Sequence, residues 1–457
     1  MKSVIMTKPK WIIVGVVLLA VLIGSVIARS LQGPAISTIE EATLRQYAGV
    51  YQWETNAFLY LQIWQEFTGT NQLTALDENG ELRVLYATAP DRFFAGHGIA
   101  VPTSVQSRIE FQRDATGRIL SLSWDREGSR TRTARRRDIE RREDVRFANG
   151  DVQLAGTLIS PTTRGPHTVV ILVHASGAED REYMLPFARF LIRRGMAVLG
   201  YDKRGVGGSM GDWNTASFED LAGDVVAAFE YLETRSDIRR DQIGMLGWSQ
   251  AGWIMPLAAI RARDMAFLIS LSGAGVSGSE TTIDQARNEM LANGMRPQMV
   301  AQIVDLMKFQ YEYLRTGQGW ERYLAARERL VARMGANPPE TFPATQDSPW
   351  LKFLRPLILY DPTPTIRQLR LPVLAVFGEL DNNVMAAKNR AAWEAALKAG
   401  GHQDYALHIL PKANHALLEA KIGNNAEMRS LQRFVPAYYD IVLEWLSKRV
   451  EGLEASK

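Results

Sequence analysis

The stretch Gly244-Met-Leu-Gly-Trp-Ser-Gln-Ala-Gly-Trp253 decides the fold predicted for this chain. A hydrophobic run leads into it and an apolar, helix-compatible segment follows, which is the layout of a strand, a very tight turn and a helix with Ser249 at the apex. Such a turn strains the backbone, so the residues two positions on either side must be small, as Gly247 and Ala251 are. The pattern predicts a nucleophilic serine at the carboxyl edge of a sheet, beside the amide of Gln250.

A serine hydroxyl becomes a good nucleophile only when a base takes its proton and an acid orients that base. Asp381 follows the predicted strand 372–377, and His415 lies in the loop after the predicted last strand 405–410. Both side chains are therefore expected at the same sheet edge as Ser249. The competing acids are Glu379, Asp404 and Asp361. Asp381 is favoured because Glu379 should point away from the side on which Asp381 lies. Asp361 precedes the strand.

The order Ser249, Asp381, His415 resembles the α/β-hydrolases, in which nucleophile, acid and base follow successive strands in this order. The resemblance covers about residues 145–450 and rests on Gly-x-Ser-x-small, Gly-Glu-x-Asp and Asn-His, each placed after its strand. It implies an α/β fold over residues 145–455, a doubly wound, mostly parallel sheet. It also implies hydrolysis of carboxylic esters through an acyl-enzyme, with no metal and no organic cofactor.

The segment His174-Ala-Ser-Gly-Ala-Glu-Asp-Arg181 is similar to the His-Gly-Ser-Gly-x-x-Asp-Arg variant of bacterial esterases and of dienelactone-hydrolase or prolyl-oligopeptidase-like relatives. The resemblance implies an oxyanion hole formed by the amides of Ser176 and Gln250, with His174 organising the loop. Ala175 replaces the usual glycine, which leaves open whether Ser176 or Ala175 presents the amide. The turn 201–209 resembles a structural loop beside the site, and its charged residues are expected to pack within that loop.

The rest of this region alternates strands with helices, which is typical of a doubly wound sheet. Further strands are predicted at 152–159, 167–174, 196–201 and 265–271, and helices at 183–194, 218–235 and 431–450. One segment, about 279–370, contains helical stretches and no good strand, so we expect a helical cap over the catalytic edge. Its many methionine and aromatic side chains are expected mainly to pack the cap's own core.

Residues 40–142 predict a small antiparallel β domain before the hydrolase-like region. Four strands are expected, at 59–63, 82–86, 108–112 and 119–124. The domain resembles small lipocalin-like modules appended to bacterial hydrolases. Seven arginines lie between 130 and 142; the favoured interpretation is a solvated edge strand and linker, and the alternative is contact with anionic lipid headgroups.

The N-terminus carries three lysines before an uncharged run, 11–28, which is just long enough to span a bilayer. Residues 1–30 are predicted to be a signal anchor, a hydrophobic helix that binds the membrane if uncleaved, or else a cleaved signal peptide. Either places the rest of the chain outside the cytoplasm, on the periplasmic side of the inner membrane in a Gram-negative cell.

Composition narrows the function classes. A net charge of +3 over 457 residues does not favour nucleic acid, the absence of cysteine excludes thiolate chemistry, and the six histidines show no metal-ligand spacing. The predicted function is a serine esterase acting on a small-molecule ester with an apolar acyl part. The alternatives are an amidase or peptidase of the same fold, or an idle binding protein.

Overall fold

The computed structural model describes residues 33–55, 57–334 and 341–453. The predicted signal anchor at residues 1–30 lies outside these ranges. Within them, no helix is long and apolar enough to cross a membrane.

The N-terminal part folds into one nine-stranded antiparallel sheet, preceded by helix α1 (Glu41–Tyr47). Its strands are β1 (Gly49–Trp53), β2 (Phe58–Trp64), β3 (Gln72–Asp77), β4 (Leu82–Val84), β5 (Tyr86–Ala89), β6 (Arg92–Gly96), β7 (Val105–Arg113), β8 (Ile119–Arg126) and β9 (Arg132–Arg137). Their order is β4-β3-β2-β1-β9-β8-β7-β6-β5. The four predicted strands all exist, and five others were not predicted: β1, β3, β5, β6 and β9.

Residues 132–137 do not form an edge strand, contrary to the prediction, whereas Arg141 and Arg142 do lie in one, the edge strand Glu140–Asn149 of the second sheet. Strand β9 is paired on both sides, with β1 and with β8. Side chains alternate along a strand, so Ala134 enters the core with Arg132 and Arg136 on its face, while Arg135 and Arg137 point to solvent. Arg132 lies 4.3 Å from the Trp53 ring centroid, and Arg136 donates to two backbone carbonyls, those of residues 46 and 48. The guanidinium groups of Arg132 and Arg136 are thus engaged within the protein, whereas binding to anionic lipid headgroups would need them free.

The second sheet has eight strands: β10 (Glu140–Asn149), β11 (Val152–Pro161), β12 (His167–Val173), β13 (Ala197–Tyr201), β14 (Ile238–Trp248), β15 (Leu268–Leu271), β16 (Val373–Gly378) and β17 (Tyr405–Leu410). The order is β10-β11-β13-β12-β14-β15-β16-β17. Pairing is antiparallel between β10, β11 and β13 and parallel from β13 to β17. The predicted doubly wound, mostly parallel sheet is confirmed.

Helices are α2 (Leu185–Arg193), α3 (Phe218–Glu233), α4 (Ala251–Arg261), α5 (Gly278–Ala292), α6 (Pro297–Thr316), α7 (Trp320–Met334), α8 (Pro349–Leu359), α9 (Thr363–Ile366), α10 (Ala386–Ala399) and α11 (Ala437–Ser447). Both faces of the second sheet are covered at strand β12, since all seven of its residues are buried. Val170 packs in one core with α2, α11 and the N-terminal sheet. Its neighbour Val169 packs in the other core with α3, α4 and α10.

Helices α5 to α8 form the predicted cap between β15 and β16, and no strand interrupts them in the described part of this segment. Tyr323 and Trp320 are buried in a core that belongs to the cap itself, as predicted for its aromatic side chains. Lys388 joins helix α10 to the cap through two ion pairs with α5: its Nζ lies 2.7 Å from the Asp284 carboxylate and 3.1 Å from the Glu280 carboxylate.

The closing helix is shorter than the predicted 431–450. It begins at Ala437, directly after Pro436, which lacks an N–H donor and suits a helix start. The preceding residues pair with the N-terminal sheet instead: the Leu82 amide donates to the Gln432 carbonyl at 2.8 Å, and the Ile99 amide to the Leu431 carbonyl at 2.7 Å. The C-terminal segment thus covers an edge of the N-terminal sheet.

Candidate active site

Ser249 lies at a sharp turn between β14 and α4, with a backbone φ of 58°. A serine rarely adopts this left-handed conformation, so the surrounding structure holds it there. A Cβ on Gly247 would come within 2.4 Å of the Ala251 Cβ, so a side chain at 247 is excluded. The small residues around Ser249 are therefore required by the closeness of strand and helix.

His415 bridges Ser249 and Asp381. Its Nδ1 lies 2.8 Å from Asp381 Oδ2, and its Nε2 lies 3.0 Å from Ser249 Oγ. An ionised carboxylate only accepts hydrogen bonds, so Nδ1 carries the proton and Nε2 is free to accept one from the serine hydroxyl. All three groups come from loops after parallel strands and meet at one sheet edge. The arrangement can deprotonate Ser249.

Both partners of the imidazole are held in place. The second oxygen of Asp381, Oδ1, accepts the amides of Asn383 at 2.8 Å and Val384 at 2.7 Å. The carbonyl of His415 accepts the indole N–H of Trp248 at 2.8 Å, and the rings of these two residues are 5.1 Å apart. The carboxylate and the histidine are thus fixed by bonds separate from the one that joins them.

Asn414 is fully buried beside the histidine. Its Oδ1 accepts the amides of Ala416 and Leu418, each at 3.0 Å, which closes the loop on both sides of His415. The asparagine in the Asn-His pair therefore shapes the loop.

The competing acids lie elsewhere. Glu379 accepts the Lys412 amide at 2.9 Å, Asp404 forms an ion pair with Arg449, and Asp361 accepts the Thr363 amide at 2.9 Å. None of them contacts His415 in the described structure.

The loop after β12 contains Ala175 and Ser176, the two residues whose amides could face an oxyanion. Glu179 is buried beneath this loop and accepts the amide of Ala175 on Oε2 at 2.7 Å and that of Gly177 on Oε1 at 3.0 Å. Among the described residues, no hydrogen bond uses the amide of Ser176 or that of Gln250. Of residues 175 to 177, Ser176 is therefore the one whose amide is free of an intramolecular bond, as is the amide of Gln250 next to Ser249.

His174 supports the loop from below. Its Nε2 lies 2.6 Å from the Tyr201 carbonyl. Burial, together with the nearby Lys203 charge, lowers the pKa of His174 to about 3, so the ring is neutral at physiological pH. The other charged residue expected to pack within this region, Arg204, forms a buried ion pair with Asp224 at 2.6 Å.

The end of strand β2 contacts side chains next to the site. The indole N–H of Trp64 donates to the Tyr183 carbonyl at 3.0 Å, and the Tyr183 ring stacks on Trp248, next to Ser249. The Tyr183 hydroxyl donates to Glu66, whose pKa is raised by burial. Sequence reasoning missed these residues, because nothing in the local pattern of 64–66 indicates contact with a site almost two hundred residues later.

Within the residues that the structure describes, no group of three or more His, Asp or Glu side chains is arranged to hold a metal ion.

Comparison with known proteins supplies a family. A model of the alpha/beta hydrolase family matches residues 170–421, more than half of the chain. Esterase EstD of Thermotoga maritima is 24% identical over 278 residues, which covers 59% of this chain and 59% of that protein. The chain thus spans about three fifths of the length of this curated relative.

Two solved structures are similar at low identity. An esterase of Pyrococcus furiosus is 16% identical with a TM-score of 0.38, and the match covers 59% of this chain and 81% of that one. An acylaminoacyl peptidase of Pyrococcus horikoshii is 14% identical with a TM-score of 0.45, and the match covers 89% of this chain and 57% of that one. At these identities the likeness concerns the fold alone.

Proposed function

Because the chain belongs to the alpha/beta hydrolase family, we propose that it is a serine hydrolase that cleaves carboxylic esters through an acyl-enzyme on Ser249. The observation that carries this proposal is the continuous hydrogen-bonded series from Ser249 Oγ through the His415 imidazole to the Asp381 carboxylate. The esterase named among the curated relatives supports the ester as the bond that is cleaved.

In the acylation step, Ser249 Oγ attacks the ester carbonyl carbon while its proton passes to His415 Nε2. Asp381 holds the opposite ring nitrogen and stabilises the imidazolium that forms. Negative charge develops on the carbonyl oxygen, where the free amides of Ser176 and Gln250 stabilise it; one such donor is typically worth about 3–4 kcal/mol of barrier. The imidazolium then gives its proton to the departing alkoxide.

In the deacylation step, His415 takes a proton from water, and the hydroxide attacks the acyl carbonyl. The same two amides stabilise the second oxyanion. Ser249 then leaves and recovers its proton from His415, which releases the carboxylic acid and restores the starting state.

The acyl part of the substrate is apolar in this proposal. Trp253, four residues after Ser249, and Val384, three residues after Asp381, are buried together in one apolar cluster. Leu357 of the cap packs against the same cluster, and Asn288 of the cap donates to the carbonyl of residue 382 at 3.3 Å. The cap therefore packs an apolar side chain against residues that follow Ser249 and Asp381 closely in sequence, which supports an apolar environment beside the site.

We also propose that residues 1–30 export the protein and tether it to the membrane. The three lysines and the uncharged run at 11–28 support this. Cell fractionation of the full chain and of a chain lacking residues 1–30 tests it. We expect the full chain in the membrane fraction, and equal partition of both chains would contradict the tether.

The enzyme proposal is tested with a fluorophosphonate probe and a series of p-nitrophenyl esters. We expect the wild type to be labelled and to hydrolyse the esters, and Ser249→Ala to lose labelling and about 10⁵–10⁶ of kcat. A wild type that neither labels nor hydrolyses any ester would contradict the proposal and favour an idle binding protein.

Matched p-nitroanilides decide the bond type. We expect esters to be cleaved at least about 100-fold faster than anilides with the same acyl group, beyond their difference in intrinsic reactivity. Comparable rates, after that correction, would reassign the chain as an amidase or peptidase.

A further inference from the structure

Lys203 lies under the loop after β12 with only 2% of its surface exposed. Its Nζ donates to the carbonyl of Ala175 at 2.6 Å and to that of Gly177 at 3.1 Å. Glu179 accepts the amides of the same two residues. The buried Glu179 thus binds the amides of residues 175 and 177, and the buried Lys203 binds their carbonyls.

The planar peptide bond turns these contacts into an orientation for the residue between them. The carbonyl of Ala175 and the amide of Ser176 belong to one peptide unit, and in a trans unit they point in opposite directions. When Lys203 binds this carbonyl from below, the Ser176 N–H must point upwards, away from the buried pair. A hydrogen bond to a carbonyl also polarises its peptide unit, which makes the N–H a stronger donor.

Glu179 completes the arrangement. The amides of Ala175 and Gly177 would otherwise be available to an oxyanion in place of Ser176, and Glu179 occupies both. Burial lowers the pKa of Lys203 and raises that of Glu179, and the attraction between the two opposite charges opposes both shifts. The backbone joins the two residues as well, because the Lys203 amide donates to the Glu179 carbonyl at 3.0 Å.

We propose that Lys203 and Glu179 are positioning residues of the oxyanion hole, which turn and hold the Ser176 amide towards the substrate carbonyl oxygen. This rests on the proposed function. Neither side chain touches the substrate. Their effect is therefore exerted on the transition state, where the oxyanion exists, and not on substrate binding.

The variants are Lys203→Met and Glu179→Gln, which keep the volume of the side chain and remove its charge. We expect kcat for p-nitrophenyl butyrate to fall about 10–100-fold in each, with KM within about twofold. A boronic acid adds to Ser249 Oγ, with transfer of the serine proton to His415, and forms a tetrahedral anion that places an oxygen in the hole. Its inhibition constant should rise by the same factor as kcat falls.

Asp224→Asn is the matched control, because it removes a charge from a buried ion pair that holds no residue of this loop. It should lower the melting temperature and leave kcat within about twofold. The inference is overturned if Lys203→Met keeps the wild-type kcat, if it raises only KM, or if the control loses as much kcat.

A crystal structure of the wild-type boronate adduct tests the inference if the variants do not fold. We expect the Ser176 nitrogen at about 2.7–3.1 Å from the adduct oxygen. Donation by Ala175 or Gly177 would overturn it. A wild type without fluorophosphonate labelling refutes the proposed function itself, whereas a labelled wild type with a fully active Lys203→Met refutes only the positioning role.

Discussion

Replacing Asp381 with asparagine should almost abolish activity while leaving the fold intact. Asp381 makes three hydrogen bonds: Oδ1 accepts the amides of Asn383 and Val384, and Oδ2 faces His415 Nδ1. An asparagine can keep the first two bonds only by turning its carbonyl oxygen towards the amides. Its NH₂ group then faces the imidazole.

This orientation of the asparagine changes the tautomer of the His415 imidazole. An NH₂ group donates, so Nδ1 must give up its proton and accept, and Nε2 then carries the proton and faces Ser249 Oγ as a donor. A protonated Nε2 cannot take the serine proton. A wrong tautomer of this kind lowers kcat about 10⁴-fold in a serine protease. We expect kcat of Asp381→Asn to fall about 10³–10⁴-fold, which corresponds to roughly 4–5.5 kcal/mol of activation free energy.

The assay is steady-state hydrolysis of a p-nitrophenyl ester, with the rate of fluorophosphonate labelling as a second measure of Ser249 nucleophilicity. Both should fall by a similar factor in Asp381→Asn, because both need the same proton transfer. The free energy of unfolding should change by only about 1 kcal/mol, since the two amide bonds persist and the third re-forms with Nδ1 as its acceptor.

Glu379→Gln is the control, because Glu379 lies two residues away and binds the Lys412 amide instead of His415. It should keep kcat within about twofold. If Asp381→Asn retains more than about a tenth of wild-type kcat, or if Glu379→Gln loses as much, Asp381 does not orient the base.

Three further predictions concern the turn, the domain contact and the loop histidine. Gly247→Ala should lower both melting temperature and labelling rate, because the added Cβ would lie 2.4 Å from that of Ala251; unchanged melting would contradict the tight turn. Trp64→Ala should cost about 3–5 kcal/mol in urea unfolding, in one transition for the whole chain, because Trp64 is buried in the core shared by both domains; two separate transitions would contradict a shared core. His174 binds protons in the unfolded state below about pH 6.5 but in the native state only near pH 3, so its contribution to stability should fall by about 2 kcal/mol from pH 7 to 5; His174→Gln should lose this part of the pH dependence, and an unaltered slope would contradict a buried neutral ring.

The centre of the hydrolase sheet was predictable because strands such as β12, β13 and β16 are continuous apolar runs buried on both faces. The expected location of Ser249, Asp381 and His415 followed from the same runs, since each lies just after one. Their separation in sequence is large, but parallel strands bring all their carboxyl ends to one edge.

The N-terminal sheet was harder to predict. Strand β5 has only four residues, and β9 reads Arg-Thr-Ala-Arg-Arg-Arg, which local propensity does not favour as an interior strand. Its place is set by neighbours on both sides, since Arg132 packs on the ring of Trp53. Such tertiary support cannot be read from the segment itself.

The support of the oxyanion loop was also invisible in the sequence. Glu179 and Lys203 lie on loops after two different strands, and each alone is an ordinary charged loop residue. Their proposed role in positioning the loop depends on their burial and on the four hydrogen bonds that they form with residues 175 and 177.

The pairing of the C-terminal segment with the N-terminal sheet has a consequence for synthesis of the chain. Arg429 donates to the Ala100 carbonyl across 329 positions of sequence. At about 5–20 residues per second, the ribosome needs roughly 15–65 seconds to add them. For that time strand β4 leaves the ribosome without its covering segment, and an open strand edge can pair with other nascent chains. The N-terminal sheet therefore cannot complete this edge until residues 429–434 have been synthesised.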